Sequence, residues 1–154
     1  MRLWPNKQAR GQSILEAALV APILMFILLA MVEAGRMMYL SVVLEHAADA
    51  AAEYGATTTT DADLSGMQSA ATSDVQASGI FNKLYPANSF ATIASNFCQC
   101  SNGASTSCTN NTCASGQFAV FVQAKTSANY ATLIKYPGLP SAFTMNAQAT
   151  LRVQ

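Results

Sequence analysis

A long apolar segment near the N-terminus constrains this chain more than any other feature. Residues 14–35 form a run of 22, and the sixteen residues from Ala17 to Val32 carry no charge. About 20 helical residues, rising about 1.5 Å each, cross a hydrocarbon core of about 30 Å. Glu16 and Glu33 lie near the two ends of the run, where a carboxylate can reach the lipid headgroups. The segment therefore predicts one transmembrane helix.

The charges around this segment predict its orientation. Arg2, Lys7 and Arg10 precede the span, whereas Arg36 alone lies close behind it. Because positively charged flanks stay on the cytoplasmic side, we expect a cytoplasmic N-terminus. The rest of the chain is then periplasmic or extracellular.

The residues at the start of the span indicate an export signal of the kind that pilins carry. A cut between Gly11 and Gln12 would remove a basic leader and leave Glu16 as the fifth residue of a new N-terminus. Two alternatives stay open. A secretory signal could be cut after Ala34, although Glu16 is out of place in such a signal. An uncleaved segment would be a permanent anchor.

Composition argues against nucleic-acid binding and catalysis. Removing the leader leaves five basic against eight acidic residues, which is no footprint for nucleic acid. Acid–base and metal chemistry draw on clustered His, Asp, Glu or Cys. Every acidic residue lies at or before Asp74, and His46, the one histidine, sits in a helical stretch. We therefore expect no enzyme, no catalytic or metal-binding residues and no cofactor.

The helical pattern continues beyond the membrane span. Apolar residues recur at steps of three and four from Met37 to Ala52, so one helix from Ser13 to Tyr54, about 63 Å long, is expected. Gly55 is the predicted stop. Pro22 either kinks the span or is tolerated there as prolines in membrane helices are. The small residues at 47, 48 and 50–52 can pack on another helix or, more favourably, on the protein's own sheet.

Two features of the span suggest contacts with other subunits. We expect no other part of the chain to pack on the apolar stripe of the span. Small and aliphatic residues of this kind suit packing between membrane helices. The predicted packing residues are Val20, Pro22, Leu24, Ile27 and Met31. A carboxylate in apolar surroundings needs a partner, so Glu16 could set subunit registration by pairing with the new α-amine of a neighbour's Gln12. The alternative is a glutamate that reaches the headgroups.

The rest of the chain predicts a small α+β domain. Thr60 or Asp61 can cap a second helix with apolar positions at 64, 67, 71 and 75, ended by residues 78–79. Period-two alternation then indicates strands at residues 117–125 and, most clearly, at 143–153, and a further strand is expected at 90–100. A further strand is possible at 130–136. We expect three or four antiparallel strands with one apolar face against the long helix.

Four cysteines lie within sixteen residues of loop-rich sequence: Cys98, Cys100, Cys108 and Cys113. Their spacing lacks the paired C-x-x-C knuckles of zinc sites, and an exported domain is oxidised, so two disulfides are expected. Bridging of Cys98 to Cys100 is sterically poor. The nested pairing, 98 with 113 and 100 with 108, suits a hairpin of the flanking strands, but the crossed pairing stays open.

Residues 11–56 resemble the N-terminal signature of TadE-like minor pilins, or pseudopilins, of the tight-adherence (Tad) pilus system. The resemblance is carried by Glu16, Pro22, residues 33–36 and the Ala-rich stretch that ends at 54–56. Residues 136–140, followed by a terminal strand with Arg152, look like the C-terminal part of the family. Ala17 and Glu53 depart from the residues expected there, an aromatic and a basic one.

The resemblance implies a subunit that a prepilin peptidase cleaves and that supports pilus assembly, adherence and biofilm formation. Its implied partners are other pilins, the inner-membrane assembly platform and membrane lipid. The expected organisation is a leader at 1–11, a span at 12–35, a helix extension at 36–56 and an α+β pilin-like domain at 57–154. The alternative function is a permanently membrane-anchored periplasmic binding or interaction module.

Overall fold

The computed structural model describes residues 7–57, 63–79, 81, 89–109, 113, 116–133, 138 and 140–153. Their contacts divide the chain into two compact units, Met1–Arg36 and Met37–Gln154. The elements confirm the α+β class: a long N-terminal helix, a short second helix and a four-stranded antiparallel sheet with two disulfides.

Helix α1 runs from Lys7 to Thr57 and contains Pro22. It begins before the expected Ser13 and continues past Gly55, so the prediction that this glycine ends the helix is wrong. Gly55 allows a close approach instead, since an added Cβ would lie 2.6 Å from the Sδ of buried Met67. The helix ends two residues later, where the Thr57 hydroxyl donates to the carbonyl of Tyr54 at 2.8 Å.

Helix α2 runs from Leu64 to Ala77 and is capped by Asp63. The Asp63 carboxylate accepts hydrogen bonds from the Gly66 amide at 2.9 Å and the Ser65 hydroxyl at 2.7 Å. These bonds, the Gly66 amide first, lower the pKa of Asp63. The predicted caps, residues 60 and 61, lie outside the described residues, and the cap is a different residue because the helix begins later. Met67, Ala71 and Val75 are buried as expected.

The sheet has the strand order β2-β1-β3-β4, with β1 Phe90–Cys100, β2 Ser105–Thr106, β3 Phe118–Ala131 and β4 Ala142–Arg152. All neighbours are antiparallel. The strand at 90–100 is confirmed with the predicted bounds. The described residues show no separate strand from residue 130: Tyr130 belongs to β3, which ends at Ala131, because the alternation of buried residues continues unbroken to Tyr130. Residues 134–137 lie outside the described part.

The core lies between α2, one face of the sheet and the part of α1 from residue 37 onward, which we call its outer half. From α1 it takes Leu40, Leu44 and the small residues Ala47 and Ala51, and the sheet contributes residues such as Val122 and Tyr130. The prediction that the alanine face packs on the protein's own sheet is confirmed for Ala47 and Ala51, which share the core with strand residues. Residues 48 and 52 are fully buried too, whereas Ala50 is half-buried. Alanines leave room for the strands to lie close to the helix.

The disulfides join Cys98 to Cys108 and Cys100 to Cys113, with Cα separations of 5.2 and 5.8 Å. The expectation of two disulfides is confirmed, but the favoured nested pairing is wrong. The reason is β2, which the sequence did not predict. It turns back directly after β1 and pairs Thr106 with Cys98, which brings Cys108 to that residue. Cys113 then meets Cys100, which lies opposite the start of β3.

Candidate assembly surface on the N-terminal helix

Residues 17–32 of α1 are apolar on every side of the helix. All side chains from residue 13 to 32 are exposed. An 18-residue window of this helix reaches a mean hydropathy of 2.5, and none of the window is buried. Among the described helices, α1 alone, over its part Ser13–Thr57, is long and apolar enough to cross a membrane. Since an apolar helix that is hydrophobic all round requires lipid or other helices around it, this segment fits a membrane anchor.

The predicted packing stripe lies within this exposed segment. Spacings of three and four residues place its members on one side of the helix. Their exposed fractions are 50% for Val20, 54% for Leu24, 44% for Ile27 and 64% for Met31. Neighbouring faces are similarly open: Leu19 is 67% exposed and Leu29 is 45% exposed. Burial within the single chain therefore does not distinguish the stripe from the neighbouring faces of the helix.

The proposed cleavage and registration residues lie near the start of α1. Gly11 and Gln12 belong to its helical backbone, and Glu16 is exposed one turn later. The helix thus continues through the predicted cleavage position. A peptidase that cuts between Gly11 and Gln12 would have to unwind the helix locally to reach the bond between them.

Glu33 and Arg36 form an ion pair that the sequence analysis did not predict. The Nη1 of Arg36 lies 3.4 Å from the Oε2 of Glu33, and Glu33 is only 9% exposed. Residues three apart on a helix are neighbours, so their spacing was the available signal. The pair neutralises a carboxylate at the end of the apolar segment, where an unpaired charge would be costly.

The described residues also locate the one histidine. His46 is exposed on α1, as expected for a solvated helix residue. Among the residues that the structure describes, no three His, Cys, Asp or Glu side chains come together as a metal site would require. The four cysteines form the two disulfides.

Comparison with known proteins gives one match. The family model of TadE-like proteins matches residues 11–53, which include the start of the predicted mature chain and most of α1. No curated protein and no solved structure matches the chain. The resemblance drawn from the sequence is therefore confirmed over residues 11–53.

Proposed function

We propose that this chain, whose residues 11–53 match the family model of TadE-like proteins, is a minor pseudopilin that supports assembly of a Tad-type adhesive pilus. In this role a prepilin peptidase removes residues 1–11. The span holds the subunit in the bacterial inner membrane with its C-terminal domain in the periplasm, from where it can enter the pilus. Its work is structural and involves no chemical reaction.

The observation that carries this proposal is the contrast between the two halves of α1. The outer half buries its small and aliphatic residues in the core of its own domain. The inner half, residues 13–32, has every side chain exposed. Inside the bilayer, lipid covers that surface. A subunit that leaves the bilayer during assembly must cover it with other helices, and the N-terminal helices of fellow pilins provide such a surface through close packing.

The proposal includes a contact that sets the positions of neighbouring subunits. Glu16 lies at the start of the apolar segment, and an unpaired carboxylate drawn to the centre of a membrane helix costs about 2.5–3.5 kcal/mol. The α-amine of a neighbour's Gln12, created by cleavage, offers the opposite charge. Glu16→Ala should leave cleavage and membrane insertion intact and reduce co-purification with other pilins. Unchanged co-purification would mean that Glu16 merely reaches the headgroups.

The experiment that tests the assembly role combines gene deletion with matched complementation. Deletion should abolish or shorten surface pili and lower adherence and biofilm formation, and the wild-type gene should restore them. Leu24→Trp adds bulk to the packing stripe and should fail to restore pili. Leu29→Trp, also exposed and on the opposite side of the helix, is the control and should restore them.

The alternative function, a permanently anchored periplasmic binding module, gives different results in the same strains. It predicts normal pilus number and surface attachment after deletion, and an uncleaved leader on the membrane-bound protein. Interaction with the inner-membrane assembly platform and other pilins would then be undetectable in cross-linking of whole cells. Those outcomes together would replace the assembly role with the binding role.

A further inference from the structure

The face of the sheet that points away from α1 is a surface of unusual composition. We name it the outer face: the odd-numbered residues of β1 and β3 and the even-numbered residues of β4. These positions follow from the alternation of each strand, since Val122, Ala124 and Ala128 of β3 point into the core. The outer face carries five amide side chains, two cations and no carboxylate.

Two shallow hollows on the outer face repeat one combination of groups. The first, of about 360 Å³, combines the cation of Lys125 with Ile93 and the amides of Asn146 and Gln148. The second, of about 240 Å³, combines the cation of Arg152 with Phe121 and the amide of Gln99. Each hollow therefore offers one positive charge, one apolar side chain and hydrogen-bonding amides.

The apolar members of the hollows are exposed enough to contact a ligand. Ile93 is 66% exposed and lies opposite Lys125 in the pairing of β1 with β3. The rings of Phe97 and Phe121 stack with centroids 5.3 Å apart and an interplanar angle of 12°. Phe121 lies opposite Arg152 in turn. This ring pair forms a flat apolar platform beside the second cation.

Polar side chains between and beside the hollows form hydrogen-bonded pairs. Between the hollows, the Gln123 amide donates to the Thr150 hydroxyl at 3.2 Å. Beyond the first hollow, the Thr144 hydroxyl donates to the Asn129 amide oxygen at 2.9 Å. Amides and hydroxyls both donate and accept, so each group keeps capacity for a ligand that does the same. Sugar hydroxyls have this property, and the apolar faces of sugar rings match Ile93 and the phenylalanine pair.

The spacing of the two cations favours a polymer. Register places Phe121 opposite Arg152 and Lys125 opposite Gln148, so the two positive side chains are four residues apart on adjacent strands. That separation is about 14 Å. Two shallow hollows at this distance suit an extended chain better than a small ligand, which needs an enclosing pocket. Two charges are also too sparse for nucleic acid, which carries a phosphate about every 3.4 Å on each strand.

From these observations we infer that the outer face binds an acidic polysaccharide, with carboxylates of sugar acids at Lys125 and Arg152. Hydroxyls of the sugars that lie between the two acidic sugars contact Gln123 and Thr150, between the two hollows. No carboxylate follows Asp74 in the sequence, so the chain presents no opposing charge from its own strands. This inference is independent of the assembly role, because it concerns a different surface.

The test measures binding of fluorescent polygalacturonate to the full chain in detergent micelles. Binding should be strongest at about 10 mM salt, where the Debye length is about 30 Å, and weaker at 0.15 M. Lys125→Gln and Arg152→Gln should each weaken binding about threefold, and the double variant about tenfold. Gln148→Lys, which adds a cation to the first hollow, should strengthen it about threefold.

Control variants and probes separate the outer face from general charge attraction. Glu45→Lys on exposed α1 restores the net charge of the double variant and should not restore binding. Neutral dextran should bind at least tenfold more weakly than polygalacturonate. Equal binding of dextran, tighter binding of polyglutamate or DNA, restoration by Glu45→Lys, or no effect of the double variant would each overturn the inference. Absence of polygalacturonate binding at low salt would overturn it as well.

Discussion

At the scale of single residues, Thr126 holds a hydroxyl inside the apolar contact between α1 and the sheet. It is 1% exposed, and its Oγ1 donates to the backbone carbonyl of Leu44 at 2.8 Å. A buried polar group costs free energy unless it is hydrogen-bonded, so this bond fixes the position of β3 along the helix. The sequence pattern does not reveal it, because threonine in a strand is equally common on exposed faces.

Thr126→Val keeps the shape of the side chain and removes this hydrogen bond. We expect the free energy of unfolding to fall by about 1 kcal/mol, as for other single hydrogen bonds. Thr150→Val is the matched control, because Thr150 is exposed, and its effect should stay within about 0.5 kcal/mol. Urea unfolding in detergent micelles, followed by near-ultraviolet circular dichroism, measures both. Equal stability of the two variants would show that the bond to Leu44 contributes nothing.

Gly55 makes a second residue-scale prediction. Alanine is normally favoured over glycine within a helix by about 1 kcal/mol. At this position, however, the added Cβ would meet Met67 Sδ at 2.6 Å and its Cε at 3.0 Å. Met67 is fully buried and cannot swing into solvent. Gly55→Ala should therefore lower the midpoint of thermal unfolding of the unit Met37–Gln154, which we call the outer domain.

Gly35→Ala is the control for this substitution. Gly35 is also in α1, but nothing lies within 4 Å of the position of an added Cβ. The thermal midpoint of the Gly35→Ala variant should equal or exceed that of the wild type, as measured by circular dichroism of the full chain in micelles. A rise in the midpoint for Gly55→Ala would mean that the Met67 side chain repacks without cost.

At the scale of elements, the sequence predicted those with strong periodicity and missed those that depend on long-range contacts. The period of two in β3 and β4 is continuous, so these strands were found, although β3 proved longer. A strand was also predicted at β1, although its alternation breaks at residues 94–95. Strand β2 has two residues and no periodicity, and it exists because it pairs with β1. The sequence could not predict the crossed disulfides, because they follow from that pairing.

The crossed pairing gives a thiol-counting prediction. Replacing Cys98 and Cys108 together with alanine removes one whole disulfide and should leave no thiol that a maleimide can label after denaturation. Replacing Cys98 and Cys113 instead breaks both bridges and should leave two labelled thiols in protein that has not re-paired. Intact mass of the labelled variants measures the difference. The reverse result would establish the nested pairing.

Each bridge also stabilises the outer domain. Closing loops with sequence separations of 10 and 13 removes conformational entropy from the unfolded chain, worth about 2–3 kcal/mol per bridge. The Cys98/Cys108 double variant should lose stability in that range in urea unfolding. The same variant under reducing conditions should lose no more than the reduced wild type.

At the scale of the whole molecule, α1 serves two environments. Its outer half completes the core of a small disulfide-linked domain, and its inner half presents apolar side chains on all sides. The sequence predicted this division, because residues 17–32 of the inner half carry no charge whereas the outer half carries acidic residues on one stripe. It did not predict the outer face as a surface, because half of a period-two alternation is expected to be polar in any half-buried sheet.

The central claim, that this chain is a pseudopilin, is tested most directly by mass spectrometry of the mature N-terminus in the membrane fraction of its native host. A pseudopilin should begin at Gln12, and Gly11→Leu should leave the full-length precursor in the same membrane. A mature protein that begins at Met1 or directly after Ala34 would rule out this function. The first result would indicate a permanent anchor, and the second an ordinary secreted domain.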